Sequence, residues 1–249
     1  MIKTGSRIIY RSIYLCGVII SACIFTPLFQ KGHMPRQSMS AKITCWWHRK
    51  IGQALGIPVQ TFGTANKHPT LFIANHISWF DIHAIGGIIP VRFLSKAEVK
   101  KMPIIGWLAS RAGTLYISRG GKTASIETIK NMTDALKQGQ NIILFAEGKT
   151  TNGEVNRFHS RLVQSAIDAD CDIQPIAIRY PHEKKMAHPA APYTGDMTMA
   201  ESLMNILQTN SLSTEVHFLD IISIIDKTRD ELTRETEQQV RAVIENNRI

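Results

Sequence analysis

The sequence is short of cysteine and lacks the spacings that mark metal or disulfide sites. Its four cysteines show no CxxC pattern, and two of them, Cys16 and Cys23, lie inside an apolar stretch. This distribution favours neither a structural zinc site nor a disulfide framework. Unpaired thiols are typical of proteins that face a reducing compartment such as the cytoplasm. The trio His76, Asp81 and His83 has no further ligand at suitable spacing, so we expect no bound metal.

Signatures of several other protein classes are also missing. Residues 120–123 and 147–150 mimic a phosphate-binding loop, but the glycine required five residues before each Gly-Lys pair is replaced by Tyr116 and Ile143. No serine has the flanking glycines of a Gly-x-Ser-x-Gly nucleophile elbow, which disfavours an esterase or lipase. The chain has no internal repeat and no low-complexity segment.

Acidic residues are outnumbered by basic ones. The 249 residues, enough for one α/β domain, contain 29 Lys and Arg against 20 Asp and Glu, a formal net charge of +9. Such an excess suits an anionic membrane surface, nucleic acid or an acidic carrier, and charge alone does not choose among them. Nucleic acid is disfavoured because no recognition motif accompanies the charge. The basic tract between Lys96 and Lys122 is either a solvated face or a surface that attracts anionic groups.

One long uncharged stretch lies near the N-terminus. No charged residue occurs between Arg11 and Lys31. As a helix, the apolar part of this stretch is about 25–30 Å long, which matches the core of a bilayer. Lys3, Arg7 and Arg11 precede it and favour a cytoplasmic N-terminus.

Three arrangements of this stretch remain open: a monotopic or re-entrant anchor, a full membrane span, or a cleaved signal. Residues 20–23 resemble a lipoprotein cleavage box, but the residues after Cys23 stay apolar, which disfavours cleavage. The monotopic or re-entrant anchor is preferred because a true span would export the rest of the chain. We therefore predict a membrane anchor and linker over residues 1–42, with the linker at 31–42, and a folded domain over residues 43–249.

A regular alternation of short apolar runs and helical segments follows. Runs rich in Ile, Leu and Phe, as buried strands are, occupy residues 70–74, 91–95, 114–118, 142–146 and 173–179. Helical spacing occupies residues 43–56, 82–89, 103–112, 124–138 and 160–169. The pattern predicts an α/β fold with a mostly parallel central sheet covered by helices. After a surface loop at 181–195, a helix near 198–208, a strand near 213–219 and a helix over 228–247 complete the chain.

A histidine and an aspartate form the first candidate for chemistry. His76 stands five positions before Asp81 and just after the apolar run 71–73. On a continuous helix the two side chains would point about 140° apart. They meet only if His76 lies on the turn that leaves the strand and Asp81 lies in the first turn of the next helix. Asp81 would then hold one ring nitrogen and leave the other free as a base. Alone, the pair is a weak signal, because such spacings also arise by chance.

Three further apolar runs lie beside polar residues. Gly113 and Arg119 bracket the first, residues 147–150 follow the second, and Pro175 lies within the third. Parallel strands deliver such side chains to one edge of a sheet. Arg119 offers a planar fork for a phosphate or carboxylate, and Gly148 lets the backbone approach a ligand closely.

These blocks, in their order and spacing over residues 70–180, resemble those of the glycerolipid acyltransferase family, typified by 1-acylglycerol-3-phosphate acyltransferase. Lyso-ornithine lipid acyltransferases are close relatives within this resemblance. The matching residues are Asn75, His76 and Asp81 in the first block, Gly113 and Arg119 in the second, Phe145–Thr151 in the third and Pro175 in the fourth.

The resemblance implies transfer of an acyl group from a thioester to a free hydroxyl. His76 would deprotonate the acceptor hydroxyl, and Asp81 would orient His76 and stabilise its charged form. The family implies no acyl-enzyme, no metal and no other cofactor. The substrate-binding residues that it implies are Asn75, Ser78, Gly113, Arg119, Glu147, Gly148, Lys149 and Thr150.

Two departures from the family pattern bear on the acceptor. Ala146 replaces the family's proline, and Lys149-Thr150-Thr151 replaces its Thr-Arg-Ser. The missing arginine is the one expected to grip the acceptor's phosphate, although Lys149 supplies charge without a bidentate fork. The preferred acceptor is 1-acylglycerol-3-phosphate, which gives phosphatidate. Lyso-ornithine lipid or another lysolipid is the alternative.

The expected partners are the lipid bilayer, a lysolipid acceptor, and acyl-CoA or acyl carrier protein as donor, without nucleic acid. The expected location is the cytoplasmic (inner) membrane, with the acyltransferase domain (43–249) facing the cytoplasm. Two rival classes remain: a membrane esterase or lipase, and a non-catalytic lipid-binding protein that kept the fold.

Overall fold

The predicted strands assemble into one sheet in the computed structural model, which describes residues 2–28, 38–117 and 121–246. The strands within these residues are β1 (Val59–Phe62), β2 (Leu71–Ala74), β3 (Arg92–Lys96), β4 (Leu115–Ile117), β5 (Ile142–Phe145), β6 (Ile173–Arg179) and β7 (Thr214–Phe218). Their order across the sheet is β1-β7-β6-β2-β5-β3-β4.

Most strand pairs are parallel, as predicted. The strand β2 pairs parallel with both β5 and β6, so it lies in the middle of the sheet. The strands β3 and β4 extend the parallel part beyond β5. Only the pair β6–β7 is antiparallel among the described strands, and β1 runs parallel to β7 at that edge. The carboxyl ends of β2, β5 and β6 therefore meet at one edge, from which the candidate site is built.

Eight α-helices accompany the sheet in the described residues. They are α1 (Ile2–Phe25), α2 (Met39–Leu55), α3 (Asp81–Ile88), α4 (Ile105–Arg111), α5 (Gly121–Lys137), α6 (Gln164–Ala169), α7 (Met199–Gln208) and α8 (Arg229–Asn246). Short 3-10 turns occupy Thr26–Leu28, Ala97–Lys101 and Arg161–Val163.

The helices cover both faces of the sheet because the strand side chains alternate between two cores. Phe72 and Ala74 of β2 pack in a cluster that includes residues of α2, α3 and α7. Leu71 and Ile73 of the same strand pack in a second cluster with residues of α5, α6 and α8. All four side chains are buried, so this strand reads as a continuous apolar run, as strands covered on both faces do.

Two details differ from the sequence prediction. The strand β1 was not predicted, because Val-Gln-Thr-Phe is short, lies at the edge and is mostly exposed, which leaves no apolar pattern to recognise. The predicted linker of residues 31–42 is wrong for its last residues, because helix α2 begins at Met39. The hydroxyl of Ser38 accepts a hydrogen bond from the amide of Ala41 at 3.1 Å and caps this helix. Residues 29–37 lie outside the described residues.

The N-terminal helix α1 is long and apolar enough, from Thr4 to Phe25, to cross a membrane, and little of it is buried. It nevertheless contacts the folded domain along its length. Near its start, Arg7 and Arg11 donate hydrogen bonds of 2.8 Å to the backbone carbonyls of Gln208 and Thr209, at the end of α7. Basic groups are favoured at such a helix terminus, whose last carbonyls have no partner within the helix.

The second half of α1 packs on α2. Val18 and Ala22 form a small buried cluster with Trp47, and the indole nitrogen of Trp47 donates to the hydroxyl of Ser21 at 3.1 Å. The helices α1 and α2 therefore form an antiparallel hairpin against the sheet face that carries Phe72 and Ala74.

Candidate active site

His76 and Asp81 meet across a strand-to-helix turn, as their spacing predicts. The strand β2 ends at Ala74, His76 follows on the turn, and Asp81 is the first residue of α3. The imidazole Nδ1 lies 2.8 Å from Asp81 Oδ2. The His76 side chain is 17% exposed, whereas the Asp81 side chain is completely buried. The ring is thus within reach of a substrate, while its carboxylate partner is shielded from water.

Asp81 is held as an acceptor from four sides. Besides the imidazole, its Oδ2 accepts hydrogen bonds from the backbone amides of Ile77 at 2.8 Å and Ser78 at 3.0 Å. Its Oδ1 accepts from the hydroxyl of Tyr180 at 2.6 Å. Burial, followed by the negative charge of Asp81, raises the pKa of the Tyr180 hydroxyl well above its ordinary value, so this hydroxyl stays protonated and donates. An ionised Asp81 satisfies both backbone amides and the Tyr180 hydroxyl as an acceptor, and Nδ1 of His76 then carries the ring proton.

This arrangement leaves Nε2 of His76 as the ring nitrogen available for a base. The imidazole also lies parallel to the ring of Phe145, with 4.0 Å between the ring centroids and 13° between the planes. The strand β5 ends at Phe145, so the neighbouring strand provides the surface on which the imidazole rests. Position and tautomer of His76 are therefore fixed by two adjacent strands and one helix start.

Glu147 supports the same turn through hydrogen bonds to the backbone. Its Oε2 accepts the backbone amide of His76 at 2.6 Å, and its Oε1 accepts the backbone amide of Asn156 at 2.7 Å. Burial raises the pKa of the Glu147 carboxyl to about 7, against the opposing effect of these two amides. The Glu147 side chain is used inside the protein, where it ties the third block to the turn that carries His76.

The next residues of the third block divide into exposed and bonded positions. Gly148 has a φ of 70°, a left-handed conformation that favours glycine, and both Gly148 and Lys149 are exposed. Thr150 is half-buried, and its hydroxyl donates to the backbone carbonyl of Tyr193. The amide of Thr151 donates to the carbonyl of His76 at 2.8 Å. Of these four residues, Gly148 and Lys149 remain open to a ligand.

Asn75 and Ser78 lie beside His76 but are engaged within the protein. The Asn75 amide exchanges two hydrogen bonds with the backbone of Ile178, at 2.8 and 3.0 Å, and is fully buried. Ser78 is also fully buried, and its hydroxyl accepts the backbone amide of Phe80 at 3.3 Å. Both residues therefore shape the turn, whereas the sequence predicted contacts with substrate.

Gly113 of the second block does not lie on the edge of the sheet that carries His76. Gly113 precedes β4 at the amino end of that strand, opposite the edge that carries His76. Its carbonyl accepts a hydrogen bond of 2.5 Å from the guanidinium of Arg92. The prediction that Gly113 binds substrate therefore has no support from its position. Arg119 lies outside the described residues, so its predicted role stays a prediction. Pro175 is buried in the middle of β6.

Sequence reasoning did not identify Tyr180 or the Tyr193 segment. Tyr180 directly follows β6. A polar group at the end of a buried strand, on the edge that carries His76, is the signal from which it could have been identified. The amide of Tyr193 donates to the carbonyl of Ile77 at 3.0 Å. This contact joins residues more than a hundred positions apart, and no local pattern predicts it.

His83 takes no part in the site despite its closeness to Asp81 in sequence. Its Nδ1 lies 2.9 Å from Nδ1 of His48 on α2. Burial lowers the pKa of His48 to about 4 and the pKa of His83 well below its ordinary value. The two neutral rings join α2 to α3, with one donating and the other accepting.

The chain is similar to known proteins over most of its length. A family model described as "Acyltransferase" matches residues 57–179. The chain is 38% identical to a lyso-ornithine lipid O-acyltransferase of Pseudomonas aeruginosa over 82% of this chain and 78% of the relative. It is 32% identical to a 1-acyl-sn-glycerol-3-phosphate acyltransferase of Neisseria meningitidis over 79% of this chain and 78% of that one.

One solved structure supports the fold. The crystal structure of the 1-acyl-sn-glycerophosphate acyltransferase PlsC of Thermotoga maritima superposes with a TM-score of 0.71. The alignment covers 98% of this chain and 96% of that chain at 16% sequence identity. The two curated relatives and the family model together show that this chain belongs to the acyltransferase family.

Proposed function

We propose that this protein transfers a fatty acyl group from a thioester donor to the free hydroxyl of a lysolipid, with His76 as general base. The observation that carries the proposal is the 2.8 Å bond between Nδ1 of His76 and buried Asp81, which leaves Nε2 free on a partly exposed ring. The family and the lysolipid acceptors named for both relatives support the same chemistry.

In the proposed reaction, Nε2 of His76 takes the proton of the acceptor hydroxyl as the oxygen attacks the thioester carbonyl. A C–O bond forms, and collapse of the tetrahedral intermediate breaks the C–S bond. The leaving thiolate receives the proton from the imidazolium, so His76 ends the cycle neutral. Asp81 stabilises the imidazolium in between without accepting its proton. No acyl-enzyme, metal or other cofactor enters this scheme.

The proposed location is the cytoplasmic (inner) membrane, with the domain on the cytoplasmic side. Helix α1 provides the apolar surface, and its contacts favour a monotopic anchor over a span. Arg7 and Arg11 bind the end of α7, and Ser21 and Ala22 pack against Trp47 of α2. Contacts with the domain near both ends of the helix support an orientation along the membrane surface. The packing of Ala22 also favours retention of residues that a signal peptidase would remove.

The acceptor head group is the finer part of the proposal. The sequence favours 1-acylglycerol-3-phosphate, but one structural observation favours lyso-ornithine lipid. At the position of the family's phosphate-binding arginine, Thr150 directs its hydroxyl to the carbonyl of Tyr193. That position therefore closes a loop contact and offers no cation, while Lys149 is the exposed cation beside it. Acyl-CoA and acyl carrier protein are both proposed as donors, since either presents a thioester.

The test is an acyl-transfer assay with the full chain in phospholipid vesicles. Lysophosphatidate and lyso-ornithine lipid are offered side by side, each with acyl-CoA and with acyl carrier protein as donor. We expect transfer to at least one lysolipid, and a fall of roughly 10²–10⁴-fold in kcat for His76→Ala, the usual contribution of a general base. His68→Ala is the matched control, because His68 is exposed and lies before the amino end of β2, at the opposite edge of the sheet from His76.

Three outcomes would overturn the proposal. Release of free fatty acid in place of transfer would identify an esterase. Folded protein that transfers to no lysolipid but still binds lipid would identify a binding protein. Full activity of folded His76→Ala would remove His76 from the mechanism.

A further inference from the structure

A second apolar surface, in addition to helix α1, lies in the segment between β3 and β4. Met102, Ile104, Ile105 and Trp107 are between 37% and 55% exposed, although each is a large apolar side chain. We call these residues the 102–107 projection. Nothing in the acyl-transfer chemistry uses them, and exposed apolar groups gathered in one place mark interaction surfaces.

The backbone of the projection is strained in a way that holds Ile104 outward. Ile104 has φ 62° and ψ −60°, a conformation that β-branched residues rarely adopt. The amide of Ile105 donates to the carbonyl of Pro103 at 2.6 Å, which closes the rare, strained form of a γ-turn on Ile104. Strain of this kind persists only where the surrounding structure imposes it, and it is found at functional positions.

The surrounding structure does impose it. The amide of Gly106 donates to the carbonyl of Met102 at 2.9 Å. A Cβ on Gly106 would lie 2.4 Å from the carbonyl oxygen of Lys100, so the start of α4 packs directly on the 3-10 turn before it. The projection is therefore a built element that presents Ile104 to its surroundings.

Cations surround this apolar tip. The stretch from Lys96 to Arg111 holds four basic residues and one acidic residue, Glu98. Lys101 is exposed, and the guanidinium of Arg111 lies 5.7 Å from the centre of the Trp107 ring. A tryptophan and isoleucines rimmed by Lys and Arg match the two layers of an anionic membrane surface, with apolar chains inside and phosphates outside.

The projection also continues the surface of the α1–α2 hairpin. Leu108, one turn into α4, packs against the cluster of Val18, Ala22 and Trp47 that joins α1 to α2. Ile20 and Ile24 of α1 and Trp46 of α2, which are neighbours in sequence of this cluster, are exposed. The packing of Leu108 therefore places the start of α4 beside the apolar second half of α1.

We infer that the 102–107 projection inserts into the interface of an anionic bilayer as a second contact beside helix α1. This inference rests on the proposed membrane function. A second contact beside helix α1 restricts rotation of the domain about the axis of that helix, which the helix alone leaves free. This rotation decides whether the open face of His76 is turned towards a lysolipid in the same leaflet.

The test measures the environment of position 104 in the full chain, independently of turnover. An environment-sensitive fluorophore is attached to Ile104→Cys, after the four native cysteines are replaced by serine or alanine and folding is verified. Ile225→Cys is the matched control, because Ile225 is 73% exposed and directly follows Ile224, which packs against the core cluster on the face of the sheet covered by α5, α6 and α8. The vesicles contain phosphatidylethanolamine and phosphatidylglycerol, with or without bromine in the acyl chains.

We expect a blue shift and bromine quenching at position 104 and neither at position 225, with the protein bound to vesicles in both cases. A label at 104 as water-exposed as that at 225 would overturn the inference, whether or not the enzyme is active. Protection of the label at 104 by acyl carrier protein without vesicles would also overturn it, in favour of a protein partner. A quenched label on a protein that transfers no acyl group would support the inference and count against the proposed function.

Activity gives a second readout. Ile104→Glu places a charge in the tip, and we expect it to lower transfer to vesicle-borne lysolipid by roughly tenfold or more, because a charge opposes insertion. Transfer to a short-chain, water-soluble acceptor should stay within about twofold of wild type, since the substitution lies on an exposed surface. Equal loss on both acceptors would indicate a structural defect and overturn the assignment, as would no loss on vesicles. Ile225→Glu should leave both rates unchanged.

Discussion

The turns that follow β2 and β5 lie side by side at one edge of the sheet, yet they are built in different ways. The first, from Asn75 to Asp81, hides its carboxylate completely and surrounds it with hydrogen-bond donors. The second, from Ala146 to Thr151, also buries its carboxylate, that of Glu147, but leaves Gly148 and Lys149 exposed. The turn after β2 therefore fixes the chemistry. The turn after β5 supports it through buried Glu147 and offers exposed positions for substrate recognition.

The largest effect is expected when the buried negative charge of Asp81, in the turn after β2, is removed. In Asp81→Asn, the amide NH₂ lies either at the Oδ2 position, against the imidazole and the amides of Ile77 and Ser78, or at the Oδ1 position, against the hydroxyl of Tyr180. We expect kcat to fall by roughly 10³–10⁴-fold, with KM nearly unchanged, because both orientations remove the negative charge that stabilises the imidazolium and the first also favours the wrong tautomer of His76. We also expect a loss of about 2–3 kcal/mol in the free energy of unfolding, as for a buried donor left without an acceptor.

Steady-state kinetics and thermal unfolding in detergent check this expectation. Asp168→Asn, at an exposed position of α6, is the control and should match wild type in both. Activity of Asp81→Asn near that of the control would show that the first turn does not fix the chemistry.

The second turn contributes through Glu147, and its replacement separates support from recognition. Glu147→Gln keeps one acceptor for two backbone amides, those of His76 and Asn156. We expect kcat to fall by roughly tenfold to a hundredfold and the free energy of unfolding by about 1–3 kcal/mol, because one buried amide loses its partner. The ratio of activities on the two lysolipids should stay constant, since Glu147 faces the protein. A changed ratio would place Glu147 in recognition.

The raised pKa of Glu147 also predicts a pH dependence. The folded state holds the proton of this carboxyl up to about pH 7, whereas the ordinary value is 4.5. Folding therefore takes up a proton between these values, and the stability that this group contributes is full below about pH 4.5 and is lost as the pH rises through 7. The loss amounts to at most about 3 kcal/mol. Thermal unfolding from pH 5 to 8 should show this fall in wild type and not in Glu147→Gln; parallel curves would contradict the expectation.

A smaller effect is expected behind Asp81, where Tyr180 donates to Oδ1. Tyr180→Phe leaves more negative charge on the carboxylate, which then attracts a proton on the imidazole more strongly. We expect kcat to fall by about threefold to tenfold, as for the loss of one charge-assisted hydrogen bond. The acid limb of the pH–rate profile should move to higher pH, a change that a merely structural role would not produce. Tyr116→Phe, which loses a hydroxyl contact with Ser110 away from the site, should show neither change.

The smallest change in overall rate is expected for a substitution in the turn after β5 that tests its role in recognition of the acceptor. Thr150→Arg restores the arginine that the family has at this position. We expect the ratio of kcat/KM for lysophosphatidate over lyso-ornithine lipid to rise by roughly tenfold, because a guanidinium binds phosphate bidentately. Thr150→Val loses the contact with Tyr193 without adding a charge and should leave the ratio unchanged. Equal ratios in both variants would show that position 150 does not select the acceptor.

Local patterns predicted much of this architecture for identifiable reasons. The buried strands β2 and β5 consist almost entirely of Ile, Leu and Phe, because strands covered on both faces need apolar side chains. The placement of His76 and Asp81 followed from their spacing, which excludes a shared helical face. The strand β1 escaped prediction because its exposed edge position imposes no such composition.

Three of the residues predicted to contact substrate are engaged in hydrogen bonds inside the protein. Asn75, Ser78 and Glu147 carry polar groups that sequence reasoning assigned to substrate, yet each is bonded inside the protein. A polar residue in a motif can serve an internal hydrogen bond as well as a ligand contact, and the sequence does not distinguish the two. Gly113 lies at the amino end of its strand, away from the edge that carries His76, and its predicted role stays a prediction.

The sequence by itself determined the fold class, the apolar N-terminal helix and the His76–Asp81 pair, because each depends on composition or spacing within a few residues. Only the tertiary structure decided that Tyr180 completes the surroundings of Asp81 and that Thr150 faces Tyr193. It also joined the 102–107 projection to helix α1. These contacts link segments far apart in the chain, and they are set by which strands become neighbours in the sheet. Local sequence patterns do not specify which strands become neighbours.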